Sequence, residues 1–154
     1  MKSNKVALIA ILLWAVTIAV FAWFFIRGNT VTGTENRTAV VLSASERETA
    51  LREMRNLLVA AHGIMEGINQ GNMQQVAQFA RSAGMAVAAD VNPTIVTKLP
   101  LPFKQLGMSV HRDMDDLAKA AESGKPVQEL QQMHTGALSK CVACHAAWQI
   151  KADN

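Results

Sequence analysis

The chain has 154 residues, half of them apolar and only 18% charged, with a formal net charge of +3. Lys2, Lys5 and Arg27 account for that excess, because from Gly28 onward twelve basic residues balance twelve acidic ones. The length allows one domain and an accessory segment, and a charge excess confined to one short stretch gives no footing to a nucleic-acid-binding role.

Residues 6–26, VALIAILLWAVTIAVFAWFFI, carry no charge and a single hydroxyl, Thr17. About 20 apolar residues span a bilayer core as a helix, whereas the apolar part of a cleavable signal peptide runs to only about 7–15. The run closes on Trp23-Phe24-Phe25-Ile26-Arg27, without the small residues that signal peptidase needs. Residues 1–27 are therefore expected to form an uncleaved signal-anchor helix, in contact with the lipid bilayer through residues 6–26. Lys2 and Lys5 place the short N-terminal side in the cytoplasm and the rest of the chain outside, with Arg27 a weak opposing charge.

Residues 28–42 mix Gly, Thr and Asn without a sustained period, which reads as a flexible tether able to reach on the order of 50 Å when fully extended. Residues 43–154 read as four helices with apolar steps of three and four. Ser45-Glu46-Arg47-Glu48 offers a capping box for the first, striped by Leu51, Met54, Leu58, Ala61, Met65 and Ile68. Gly71-Asn72 ends it, and Met73, Val76, Ala80, Ala83 and Val87 stripe the second. After a break from Asn92-Pro93 to Pro100, the third carries Phe103, Leu106, Val110, Met114, Leu117 and Ala121. Gly124-Lys125-Pro126 turns into the fourth, marked by Val127, Leu130, Ala137, Cys141, Cys144 and Trp148. No strand period and no nucleotide-binding glycine motif is visible, and short turns make the first and last helix pairs antiparallel. The expected fold is all-α: an up-down-up-down antiparallel four-helix bundle behind one N-terminal transmembrane helix. Asp113-Met114-Asp115-Asp116 is expected to be a solvated helix face.

The chemistry-bearing stretch is Cys141-Val142-Ala143-Cys144-His145. C-x-x-C-H is the attachment signal for c-type haem. Three-residue spacing puts both sulfurs on one helix face, where they can add across the porphyrin vinyl groups as thioethers. His145 follows at once and can offer an imidazole nitrogen to the iron. A redox disulfide usually accompanies a βαβ pattern, which is missing, and a zinc site would need a second ligand pair at zinc spacing. One covalently bound haem c is therefore the expected cofactor, held by Cys141 and Cys144, the only cysteines, with His145 as metal ligand.

A helical bundle whose single C-x-x-C-H lies on its last helix resembles cytochrome c′ and its methionine-ligated, low-spin relatives, the class II c-type cytochromes. The resemblance covers about residues 43–151. It implies that Cys141 and Cys144 are the thioether residues and His145 the proximal ligand, with Trp148 matching an aromatic common after the histidine. Many members then carry Arg or Lys, where this chain has Gln149, so the proximal-side gas chemistry of cytochrome c′ transfers poorly.

In that topology the start of the first helix lies beside the end of the last. Met54, on the apolar stripe of the first helix, is the expected sixth ligand, since a methionine in this region binds iron in the low-spin relatives. Met85 is the second choice and Met108 the third. His62, His111 and His134 lie at depths too far from His145, and most methionines at stripe spacing are core fillers. Leu99, Leu101 and Phe103 are expected to cover the porphyrin edge, and Lys104 or Lys140 to face a propionate. The expected function is electron transfer by a membrane-anchored periplasmic monohaem cytochrome of the bacterial inner membrane, serving membrane-bound or periplasmic redox partners and able to form a homodimer. The alternative is a five-coordinate cytochrome c′-like protein binding NO or CO. No acid–base constellation gathers near the motif, so no enzyme activity is expected.

Overall fold

The computed structural model describes residues 2–153. Helix α1 (Lys2–Arg27) exposes large apolar side chains from Val6 to Ile26 on all its sides. By length and composition it can cross a membrane. The rest of the described chain is mostly helical, with one small sheet.

That sheet is a departure from the all-α expectation, and it begins inside the stretch expected to be a tether. Strands β1 (Thr30–Thr32) and β2 (Thr38–Leu42) form an antiparallel hairpin. Its turn is closed by the Arg37 N–H donating to the Thr34 carbonyl at 3.0 Å, with Glu35 and Asn36 both at positive φ, 55° and 60°. Two positive φ values match the right-handed twist of the flanking strands, which is why hairpins favour this turn. Ala39, Val40, Val41 and Leu42 are all buried, so β2 shows no in–out alternation to read. Strand β3 (Trp148–Ala152) then pairs in parallel with β2, Thr38 facing Trp148 and Leu42 facing Ala152. The fourth expected helix thus stops at Ala147, and its last residues become an edge strand.

The junction with α1 is equally ordered. Gly28 sits at φ 64°, and its N–H donates to the Phe24 carbonyl at 2.9 Å. Asn29 donates its N–H to the Lys98 carbonyl at 2.7 Å, while its own carbonyl and side-chain amide bond Val41, each at 2.9 Å. The chain leaves α1 straight into the sheet.

Helix α2 (Ala44–Gln70) is capped two residues before the start of the expected box. Ser43 is its N-cap, accepting from the Glu46 N–H, while Glu46 accepts from the Ser43 N–H at 2.8 Å. Because β2 ends at Leu42, the chain must turn at Ser43, and the earlier of two overlapping boxes is the one used. Helix α2 ends at Gly71, φ 68°. The second expected helix is split into α3 (Met73–Arg81) and α4 (Met85–Ala89), because the Asp115 carboxylate accepts the Met85 N–H at 3.1 Å and caps a new start. Helix α5 (Pro93–Lys98) fills the expected break, and α6 (Leu101–Glu122) and α7 (Val127–Ala147) follow.

Helix α2 packs on α3, α3 on α6, α6 on α7, and α7 back on α2. Ile64, Val76, Met114, Leu117 and Leu130 fill the space between them. Each such side chain contributes about 1.5–3 kcal/mol when fully buried. A second, smaller core joins Val40 and Leu42 of the sheet to Ile95 of α5, with Phe103 and Trp148 packed against it.

The start of α2 is pinned to α5 by Lys98 Nζ, 2.7 and 2.8 Å from the two Glu46 carboxylate oxygens. The Lys98 ammonium, then the Ser43 N–H, hold the Glu46 carboxyl below its ordinary value of 4.5. A carboxylate whose folded pKa is depressed adds stability that is complete above the unfolded value and lost as pH falls through the folded one. Urea midpoints should therefore show wild type losing its margin over Glu46→Gln as pH drops below 4.5. A margin that stays constant through that window would detach Glu46 from the acid sensitivity of the fold.

Candidate functional site

The C-x-x-C-H residues occupy the last two turns of α7, immediately before the chain opens into β3 at Trp148, φ −128° and ψ 156°. Cys141 and Cys144 are free thiols, both half-buried, and Cys141 Sγ lies 3.7 Å from the Ala137 carbonyl one turn back. Burial pushes both thiols above their ordinary pKa, and Cys141 pushes Cys144 up further. Dithiol redox centres work with a depressed thiol pKa, so this environment is opposite to theirs.

A cavity of about 410 Å³ opens between α2, α6 and α7, lined by Met54, Ala61, Val110, Met114, Cys141 and His145 among others. A second, of about 190 Å³, opens toward the sheet and is lined by Arg37, Phe103, Cys144, Trp148 and Ile150. Leu51, Met54 and His145 line both, so the two are halves of one cleft along the α2–α7 seam. The larger half falls within the size range of small-molecule and cofactor pockets, about 300–1,000 Å³. Cys141, Cys144, His145 and Met54 thus come together from two helices on one largely apolar cleft.

The other expected residues are distributed differently. Met85 and Met108 line neither half of the cleft. His111 Nδ1 is 2.8 Å from the Ala83 carbonyl, and His62 is exposed on α2. His134 is 2% exposed with no hydrogen bond to either ring nitrogen. Burial lowers its pKa, opposed in part by the Ala61 backbone, which stands outside hydrogen-bonding geometry. Phe103 reaches the cleft and meets Trp148 edge-on, ring centroids 5.6 Å apart, while Leu99 belongs to the sheet core and Leu101 lines neither half.

Both lysines considered for a carboxylate are engaged elsewhere. Lys104 Nζ lies 4.1 Å from the Phe25 ring centroid of α1, and burial lowers its pKa. Lys140 pairs with Asp113 at 2.5 Å, bridging α7 and α6. With Asp115 capping α4, two members of the acidic run of α6 make tertiary contacts, while Asp116 is exposed and pairs only with Lys119 of the same helix, so the solvated face that was expected is kept there alone. The cleft cations are instead Arg37 and Arg55. Arg37 carried no signal in the sequence, because its place depends on the hairpin.

The donor set consists of the His145 imidazole, the Met54 and Met114 thioethers and the two cysteine thiols, on apolar walls. That suits a large apolar group carrying iron and bonded to the chain through sulfur. Among the described residues no group of three or more His, Cys, Asp or Glu side chains is placed to hold a bare metal ion. No protein family, curated protein or solved structure matches this chain.

Proposed function

We propose that this chain is a membrane-anchored monohaem c-type cytochrome that carries single electrons. Cys141 and Cys144 would hold the haem covalently, and His145 and Met54 would bind its iron. The observation that carries the reading is a C-x-x-C-H motif opening onto an apolar cleft whose opposite wall presents a methionine. In this reading α2, α3, α6 and α7 make up an up-down-up-down antiparallel four-helix bundle of the class II cytochrome kind. Helix α1 holds the protein in the bacterial inner membrane with the domain in the periplasm, where it meets membrane-bound or periplasmic redox partners, alone or as a homodimer.

When bound, a haem iron ligated by Met and His exchanges one electron between ferric and ferrous states at a raised potential. The chain's own share is to bind, orient and exclude water. The α7 helix sets the spacing of the two sulfurs, and its last turn aims His145 into the same cleft. Leu51, Val110 and Met114 keep water from the walls, and Phe103 with Trp148 closes the sheet side. His145 and Met54 would both hold the iron in either redox state, so little reorganisation would accompany the electron.

The test is expression in a host competent in haem attachment, followed by mass and optical spectra. The expected result is the polypeptide mass plus one haem, surviving denaturation and acid extraction, with a low-spin spectrum in both redox states that ignores CO. An unmodified mass would end the cytochrome reading. A high-spin ferrous form that takes up CO would replace electron transfer with the gas-binding alternative.

A further inference from the structure

Arg37 stands out among the charged residues for a donor with nothing to donate to. Its Nε is buried and makes no hydrogen bond. Its backbone is fixed on both sides of the turn, with Gly33 N–H donating to the Arg37 carbonyl at 2.8 Å and Arg37 N–H to the Thr34 carbonyl at 3.0 Å. One terminal nitrogen, Nη2, lies 2.9 Å from the Glu35 carboxylate. Glu35 is 79% exposed, so that pair is screened by water and holds the guanidinium weakly. Arg37 also lines the smaller half of the cleft, together with Cys144, His145 and Trp148.

We infer that Arg37 is the carboxylate-binding residue of the cleft and takes a haem propionate, an inference that rests on the cytochrome reading above. Three facts converge on a carboxylate. A buried N–H without an acceptor is costly and so marks a place for one. A guanidinium offers Nε and Nη2 as a parallel pair that matches both oxygens of a carboxylate, and a second carboxylate here would share or displace the exposed Glu35 contact on Nη2. Among the cations, Lys104 and Lys140 line neither half of the cleft and Arg55 lines only the larger one, which leaves Arg37 as the one in the half that holds Cys144 and Trp148.

The hairpin therefore has a purpose in the site that its sequence did not suggest. It brings a positive charge against the negative edge of the cofactor, which favours the reduced state of the iron and keeps the propionate ionised.

The experiment is potentiometry of the full-length holoprotein across pH, in wild type, Arg37→Gln, Arg37→Lys and Arg55→Gln. Arg37→Gln should keep its covalent haem and axial spectrum while its midpoint potential falls by about tenfold in the redox equilibrium, roughly 59 mV for one electron. The pH-dependent step in potential should move to higher pH, because the propionate loses the cation that held its pKa down. Arg37→Lys should recover part of both effects. A general loosening of the hairpin would lower the potential without moving the pH step, and that outcome would overturn the assignment. So would an Arg55→Gln variant that reproduces the full effect while Arg37→Gln leaves it unchanged. Wild-type protein without covalent haem would refute the cytochrome reading itself, whereas haem present with both quantities unmoved in Arg37→Gln refutes Arg37 alone.

Discussion

A Met54→Ala variant is expected to keep its covalent haem yet change from low-spin to high-spin, with a ferrous form that binds CO. Met54 lines both halves of the cleft together with His145, which no other methionine does. Its position along α2 is fixed by the Ser43 cap and by the grip of Lys98 on Glu46, eight residues earlier. Alanine reaches no iron, so the sixth position opens. The truncation also leaves a void, but Met54 is only half-buried, and the loss belongs at the low end of the usual range, about 2 kcal/mol. Met54→Leu separates the two effects. It keeps the volume at a cost below about 1.5 kcal/mol and removes only the sulfur. High-spin spectra in both variants identify the thioether as ligand. Low-spin spectra in both would exclude Met54 and leave Met114, which lines the larger half alone.

The second large effect is expected at a residue far from the motif. Gly28→Val meets two penalties at once. A β-branched residue at φ 64° costs about 1–2 kcal/mol in backbone strain. Its Cβ would stand 2.5 Å from the Lys98 carbonyl oxygen and 2.6 Å from the backbone of Leu99 and Pro100, atoms that cannot rotate away. Together these should cost about 3 kcal/mol or more, and the chain can relieve them only by breaking the Asn29–Lys98 hydrogen bond. Hydrogen exchange should show loss of protection at the Asn29 and Val41 amides, and proteolysis should find a new site between residues 27 and 38. Protection equal to wild type at both amides would mean that the junction tolerates a side chain and is not the clamp its geometry describes.

How much of this was legible depended on whether a residue's role is local. Helices α2, α6 and α7 carry long stripes with steps of three and four, and Gly71 and Pro102 punctuate them by known backbone preferences. The C-x-x-C-H stretch is contiguous, so the haem chemistry proposed for it comes from the string alone. Met54 was chosen by depth along a helix, and it lines the same cleft as His145. The sheet was hidden for three separate reasons. Four consecutive buried residues in β2 show no alternation. The turn uses Glu35 and Asn36 at positive φ where glycine would have announced it. Trp148 falls three and four residues after His145 and Cys144 and so continues a helical stripe, although it starts a strand. The break between α3 and α4 depends on Asp115, thirty residues on, which no local pattern can carry. Arg37 was missed for the same reason, since only the pairing of β2 with β3 places it beside the end of α7.

The bonds between Asn29, Val41 and Lys98 also decide what kind of search such a molecule performs. A domain on a slack leash sweeps a hemisphere and meets partners at a local concentration set by the leash length. Here the leash is wound into the domain, and Lys104 rests on Phe25 at the end of α1, one residue from the Phe103 that lines the cleft. With α1 in a bilayer, the cleft keeps one height and one tilt above the lipid, and encounter becomes a matter of lateral diffusion of the whole molecule. Its rate then follows the areal density of partners in the same membrane, and on the proposed cytochrome function the cleft would be presented to those whose own redox centres lie close to the surface.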